Sequence, residues 1–230
     1  MQHIRAILFD KDGTLFDFRA SWGHWTLRAF EVLAPGDAAL QHRLAVAVGF
    51  DLQAVQFEAD SPFIAETADI VAMRLLAHLP GMTRQDIAQR LDTLSEQAQM
   101  VPAVPLVPLL DGLRARGLRL GVATNDAEAA ARTQLHAAGV VSFFDPILGY
   151  DSGYGAKPAP GMLLAFADRI GLDPGQILMV GDSAHDLIAG RAAGMATLAV
   201  LTGIAEAPTL APHADRVVPD IGHLPALLQG

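Results

Sequence analysis

The chain has no cysteine among its 230 residues, which excludes disulfides, zinc–thiolate centres and thiol nucleophiles and is compatible with a reducing compartment. It has no apolar run near the ~20 residues that a membrane-spanning helix needs. Its first residues, Met1 to Arg5, lead straight into a short apolar segment and lack the longer stretch and small-residue cleavage site of a secretory signal. A cytoplasmic protein with no membrane partner is the expectation. Runs of basic residues are also missing, and the formal net charge is -9. That balance argues against nucleic acid as the main partner. Lysine is scarce: of 16 Lys plus Arg residues, only Lys11 and Lys157 are lysines. A small anionic substrate would need cations gathered locally within an acidic surface, and a bound divalent metal is one way to supply them.

What is present is a core. Hydrophobic residues make up 51% and charged residues 18%, which places the chain with compact globular proteins rather than disordered ones. Its length accommodates one catalytic domain with an attachment. Short, nearly continuous apolar runs at Ile4 to Phe9, Leu118 to Ala123, Ile177 to Val180 and Thr197 to Leu201 read as strands buried on both faces. Asp215 to Val218 could add an edge strand. Helices at 107–116, 127–138, 161–170 and 184–193 each stop at a glycine, where a left-handed C-cap is wanted. The repeated order predicts an α/β fold, a doubly wound parallel sheet. Between Phe18 and Met100 the pattern is helical instead, with candidates at 22–33, 38–48, 64–79 and 84–99. Val101 to Pro105 reads as an extended return. The division expected is a catalytic core of residues 1–17 and 102–230 with an inserted all-α helical cap over 18–101.

Ligands of open parallel sheets bind beyond the carboxyl ends of the strands. Those positions carry Asp10-Lys11-Asp12-Gly13-Thr14, Thr124-Asn125-Asp126 and Gly181-Asp182-Ser183-Ala184-His185-Asp186, and a loop before one helix carries Gly155-Ala156-Lys157-Pro158. Carboxylates from several strand ends with one lysine suit a magnesium-bound phosphate, because Mg2+ takes one or two carboxylates, waters and phosphate oxygens. Asp10 and Asp182 are the ligand candidates. Any one of these motifs also makes an ordinary turn. Four in order, each at an element boundary, do not fit that explanation.

The same order, Asp-x-Asp-Gly-Thr, Thr-Asn, Lys-Pro and Gly-Asp-x-x-x-Asp, resembles the haloacid dehalogenase-like hydrolase superfamily, and is closest to its phosphoglycolate phosphatase-like members with a helical cap. The resemblance implies a magnesium-dependent phosphatase acting on a small phosphorylated metabolite, with 2-phosphoglycolate the leading substrate. By the same resemblance Asp10 is the nucleophile that forms an aspartyl-phosphate. Asp12 is the general acid and base, and its backbone carbonyl helps hold the metal. Thr124, with the Asn125 backbone, binds the phosphoryl group at the start of a helix. Lys157 neutralises charge on the phosphoryl oxygens and Asp10. Asp182 ligates Mg2+, and Asp186 orients metal waters or Lys157. Relatives that cleave carbon–halogen or carbon–phosphorus bonds lack an aspartate equivalent to Asp12.

Two departures stand out. Lys11 replaces a residue that is commonly hydrophobic, and strand-like alternation predicts that it points away from the site. Phe18 stands where a serine often follows Asp17. In the cap, Arg19 and His24 are candidates for reading the substrate, Arg19 through a bidentate contact to a carboxylate, and Trp22 is a packing residue that could also touch it. His185 is expected to be exposed. The cap itself is acidic, with 10 Asp/Glu against 6 Arg between residues 18 and 101. Two rival readings remain: a phosphomutase of the beta-phosphoglucomutase type, which shares the motifs, and a non-catalytic phosphometabolite-binding protein. Oligomeric state is not legible.

Overall fold

The computed structural model describes residues 3 to 228; the outermost residues of the expected core, 1–2 and 229–230, lie outside them. Six parallel strands form the main sheet: β1 (Ala6–Phe9), β4 (Arg119–Ala123), β5 (Ile147–Leu148), β6 (Ile177–Gly181), β7 (Ala196–Val200) and β8 (Arg216–Val218). Their order across the sheet is β5-β4-β1-β6-β7-β8, with β1 paired to β4 through Phe9 and Val122 and to β6 through Phe9 and Val180. β1 therefore lies between two strands and beneath helices on both faces, which is why its sequence, Ala-Ile-Leu-Phe, is apolar at every position and wholly buried.

Helices α5 (Leu106–Ala115), α6 (Glu128–Ala137), α7 (Gly161–Ile170) and α8 (Ala184–Ala192) flank the sheet, followed by short α9 (Ala207–Leu210) and α10 (Leu224–Leu227). The glycines expected to end them, Gly117, Gly139, Gly171 and Gly194, all have positive φ. One apolar cluster, including Ile7, Phe9, Leu110 and Val180, fills one face of the sheet. A second, including Leu8, Phe166 and Met179, fills the other. Gly121 on β4 permits close helix packing, since a Cβ there would lie 2.3 Å from the Phe166 ring.

Between β1 and α5 the chain forms α1 (Phe18–Leu33), α2 (Ala38–Ala47), α3 (Ala68–Leu75) and α4 (Arg84–Ser95). These bury a third apolar cluster around Phe30, Leu44, Leu75 and Ile87, which Ile204 enters from the loop after β7. The insertion is not purely helical. A two-stranded antiparallel ribbon, β2 (Phe50–Asp51) and β3 (Gln56–Phe57), follows α2, and its two phenylalanines pack edge to face at 4.9 Å. The helix expected over 64–79 is broken into a 3-10 turn at Pro62–Ile64, α3, and a second turn at Leu76–His78. Helix α4 starts at a reciprocal capping box between Thr83 and Asp86. The return segment pairs with the outgoing one, Asp17 N donating to Val101 O at 2.8 Å and Ala103 N to Leu15 O at 3.0 Å. Strand β5 escaped the sequence reading because two residues are too few to show a period. No helix among the described residues is long and apolar enough to cross a membrane.

Candidate active site

Asp10, Thr124 and Asp182 sit at the carboxyl ends of the neighbouring strands β1, β4 and β6, so the sheet itself brings them together. Lys157 joins them from its loop and is 4% exposed. Its Nζ donates to Asp10 Oδ1 at 2.6 Å, to Asp186 Oδ1 at 2.5 Å and to the Ala123 carbonyl at 2.8 Å. Asp186 is fixed in turn by the capping box at the start of α8, where its Oδ2 accepts from the Ser183 hydroxyl at 2.7 Å and the Ser183 N–H at 3.1 Å.

Asp182 is 1% exposed, and its Oδ1 accepts only a long 3.5 Å bond from the Thr14 hydroxyl. Its Oδ2 is buried without a partner. The Asp182 carboxylate is cradled by glycines: a Cβ on Gly13 would lie 2.2 Å from Oδ2, and one on Gly203 would lie 1.8 Å away. Asp10, Asp182 and Asp186 each place a carboxylate oxygen within 4.8 Å of the others. Three buried carboxylates thus face one ammonium. Burial pushes Asp10 up to about 7; Lys157 opposes this, while Asp186 and Asp12 reinforce it. Asp182 is driven well above the usual carboxylate range by burial and then by Asp10 and Asp186. Burial alone would depress Lys157, but Asp10 and Asp186 outweigh it and keep the ammonium charged. This surplus of negative charge, with an orphaned carboxylate oxygen at its centre, fits a hard divalent cation with oxygen ligands.

Asp12 faces the pocket from the other side of the β1 loop. Its Oδ1 accepts from the Trp22 indole at 2.8 Å and from Lys11 Nζ at 2.8 Å. The expectation for Lys11 is corrected: it does not point away but is fully buried behind Asp12, ion-paired also to Asp126 at 3.2 Å and bonded to Gln134. The loop turns as it leaves the sheet, so strand alternation no longer applies. Thr124 is 1% exposed and lines the pocket; its oxygen accepts from Asp126 N at 3.1 Å, which leaves the hydroxyl proton free to donate.

The helix following Thr124 begins only at Glu128, and its leading amides are already taken, Ala127 N by Asp126 Oδ1 and Glu128 N by Asp151 Oδ1. A phosphoryl group would therefore meet the loop rather than a helix end. The Asn125 side chain is committed elsewhere: its amide donates to Ala65 O at 2.8 Å and Lys157 O at 2.9 Å, and accepts from Lys157 N at 2.8 Å. Only the Asn125 backbone remains for a substrate.

The pocket holds about 720 Å³ of empty space, its open mouth included. The cap contributes Phe18, Trp22, Trp25, Phe63, Val71 and Leu91, with Asp92 and Ser95 beside them. Arg19 and His24 are not among the lining residues. Both are exposed, because the inward face of α1 runs through Phe18, Trp22, Trp25 and Ala29, while positions 19, 20, 24 and 28 fall on its outward face. His185, expected in solvent, is half-buried and turns Nδ1 to Ala65 O at 3.2 Å. Sequence reading missed Asp92 and Tyr150, whose hydroxyl donates to Asp92 Oδ2 at 2.9 Å. The signal available was an aspartate beside the buried stripe Ile87, Ala88, Leu91 and Ser95 of α4.

The model of the haloacid dehalogenase-like hydrolase family matches residues 4–194. A phosphoglycolate phosphatase of Rhodospirillum rubrum is 33% identical over 228 residues, covering 96% of this chain and 89% of its own. The pyrophosphatase PpaX of Bacillus velezensis is 29% identical, covering 92% and 90%. Among solved structures, a predicted phosphoglycolate phosphatase from Haemophilus somnus 129PT superposes with a TM-score of 0.75 at 22% identity, covering 99% of both chains. With the motifs, the sheet order and the carboxylate cluster in agreement, the chain belongs to the haloacid dehalogenase-like hydrolase family.

Proposed function

We propose that this enzyme is a magnesium-dependent phosphatase that hydrolyses a small phosphate monoester through an aspartyl-phosphate on Asp10. The observation that carries the reading is Lys157 Nζ spanning Asp10 and Asp186 while Asp182 Oδ2, beside them, has no partner. Bound at Asp10, Asp182 and the Asp12 carbonyl, Mg2+ would supply the positive charge that draws the phosphoryl group in and keeps Asp10 ionised. Asp186 orients Lys157.

The free oxygen of Asp10 attacks phosphorus as the phosphorus–ester oxygen bond breaks, and the departing oxygen takes a proton from Asp12 to leave as the alcohol. Lys157 and the Thr124 hydroxyl bear the charge that gathers on the phosphoryl oxygens. Water then attacks phosphorus, gives its proton to Asp12, and releases inorganic phosphate as the Asp10–phosphorus bond breaks. Asp12 is held for both steps by Lys11 and Trp22, one from the core loop and one from α1. We assign residues 18–101 as the cap that excludes bulk water from these steps, and place the enzyme in the cytoplasm. The names of the relatives put 2-phosphoglycolate and pyrophosphate into the substrate panel.

The test is phosphate release from a panel of small esters, with magnesium and with chelator, for the native enzyme and Asp10→Asn. Magnesium-dependent release that falls by about 10⁴-fold or more in the variant is the expected result. An isomeric sugar phosphate with no free phosphate would establish a phosphomutase. Binding without turnover of any ester would establish a non-catalytic phosphometabolite-binding protein.

A further inference from the structure

The charge of the pocket is one-sided. Among its lining residues Lys157 is the sole lysine or arginine, and an ammonium has three donors. All three are taken, by Asp10, Asp186 and the Ala123 carbonyl. His185, the remaining basic side chain, turns Nδ1 to the Ala65 carbonyl. The metal carboxylates and the loop amides serve the phosphoryl end. For the rest of the substrate, the cap supplies Phe18, Trp25, Phe63, Val71 and Leu91, the exposed Glu66, and then an inner acid.

That acid is Asp92. Its Oδ2 accepts from Tyr150, but its Oδ1 is buried with no donor. A buried carboxylate oxygen without a donor costs free energy that a ligand's N–H or O–H would recover. A carboxylate on the ligand would do the reverse: it would lose water among apolar walls, find no lysine or arginine with a free donor, and meet Asp92 with like charge.

The geometry points to a phosphate monoester whose alcohol half is apolar in its body, carries no carboxylate, and offers an N–H or O–H donor to Asp92. The assignment rests on the phosphatase reading for where the phosphoryl group lies, and on the cap lining for the other half. It makes the two-carbon acid ester, 2-phosphoglycolate, a poor fit.

Binding separates the two readings. Calorimetry on Asp10→Asn protein in magnesium buffer would compare 2-phosphoglycolate, ethyl phosphate, 2-aminoethyl phosphate and the larger tyramine phosphate. The amino ester is expected to bind about ten-fold or more tightly than the glycolate ester, as a charged hydrogen bond gained implies. Tyramine phosphate is expected to bind tighter still. Adding Asp92→Asn should close most of the gap between the amino and ethyl esters. Glycolate binding as well as the amino ester, a gap unmoved by Asp92→Asn, or no binding of any ester would overturn the assignment. Phosphate release by the native enzyme on the same panel reports separately: the expected binding order without release would sink the phosphatase and leave the pocket assignment standing, whereas 2-phosphoglycolate bound best and hydrolysed would do the opposite.

Discussion

Lys11 Nζ lies 2.7 Å from Asp12 Oδ2, with the lysine fully buried and the ammonium 5.3 Å from the centre of the Trp22 ring. It also reaches Asp126 at 3.2 Å and the Gln134 amide oxygen, so one cation is shared by two carboxylates and an amide. Burial acts against the charge, but Asp12 and Asp126 overcome it and the net shift is upward. Removing the cation strands both acids. Lys11→Met is expected to lower stability by about 3–5 kcal/mol in urea unfolding, the usual cost of breaking a buried pair. Adding Asp126→Asn should recover part of the loss, since one stranded charge is then gone. A Lys11→Met protein as stable as the native one would show that the lysine is not what holds these acids.

Gly203→Ala probes the carboxylate cradle. The new Cβ would lie 1.8 Å from Asp182 Oδ2, so the carboxylate must move. Displacing a ligand by such a neighbour weakens metal affinity by about 10–100-fold. Titration calorimetry with Mg2+ or Mn2+ checks this directly, and unchanged affinity would remove Asp182 from the ligand set. Gly203 is the cleaner probe, because Gly13 has φ +74 and alanine there would add backbone strain to the clash.

Asp92 gives a pH prediction. Burial pushes it up to about 6; the Tyr150 hydrogen bond opposes this, and Asp126, Asp151 and Glu96 add to it. A carboxyl raised in the folded state holds its proton there after the unfolded chain has lost it. Its contribution to stability is therefore present below about pH 4 and lost as pH rises through about 6. Asp92 is half-buried, and solvent screening holds the loss to about 1 kcal/mol. Urea midpoints between pH 4 and 7 should fall less steeply in Asp92→Asn; parallel slopes would refute the prediction.

Asn125→Ala removes three hydrogen bonds at once, two to the Lys157 backbone and one to Ala65 of the cap. Turnover is expected to drop about ten-fold or more, with faster amide exchange in both segments. Exchange rising at Ala65 alone would mean that Asn125 fastens the cap without positioning Lys157.

The convergence of the candidate site's carboxylate end was largely legible because its signals are local. Asp10, Asp12, Thr124, Lys157, Asp182 and Asp186 sit at strand ends or loop tips whose positions follow from apolar runs, and the sheet order makes them converge. The cap end was not. Whether Arg19, Trp22 or His24 faces the pocket depends on the roll of α1 about its axis, which the packing of Trp22 and Trp25 against each other and Phe63 decides. Lys11 reads as pointing away from the site until Asp126 and Gln134, more than a hundred residues away, are placed around it. Asp92 and Tyr150 likewise meet only in three dimensions.

The loop after β7 spans a few residues and is engaged at almost every one. Thr202 accepts from Phe18 N at 3.1 Å and donates its hydroxyl to Gly13 O at 2.6 Å, Gly203 lies against Asp182, and Ile204 is buried in the cap cluster. The start of α1, the loop after β1, the Asp182 carboxylate and the interior of the helical insertion thus share a single tolerance. A residue inserted here would shift all four together, whereas one inserted in the exposed turn near Gly81 would shift none of them. Variants that retune the enzyme toward new esters should therefore accumulate on the cap face while this loop keeps its length, much as a lock is rekeyed at its pins and never at its axle.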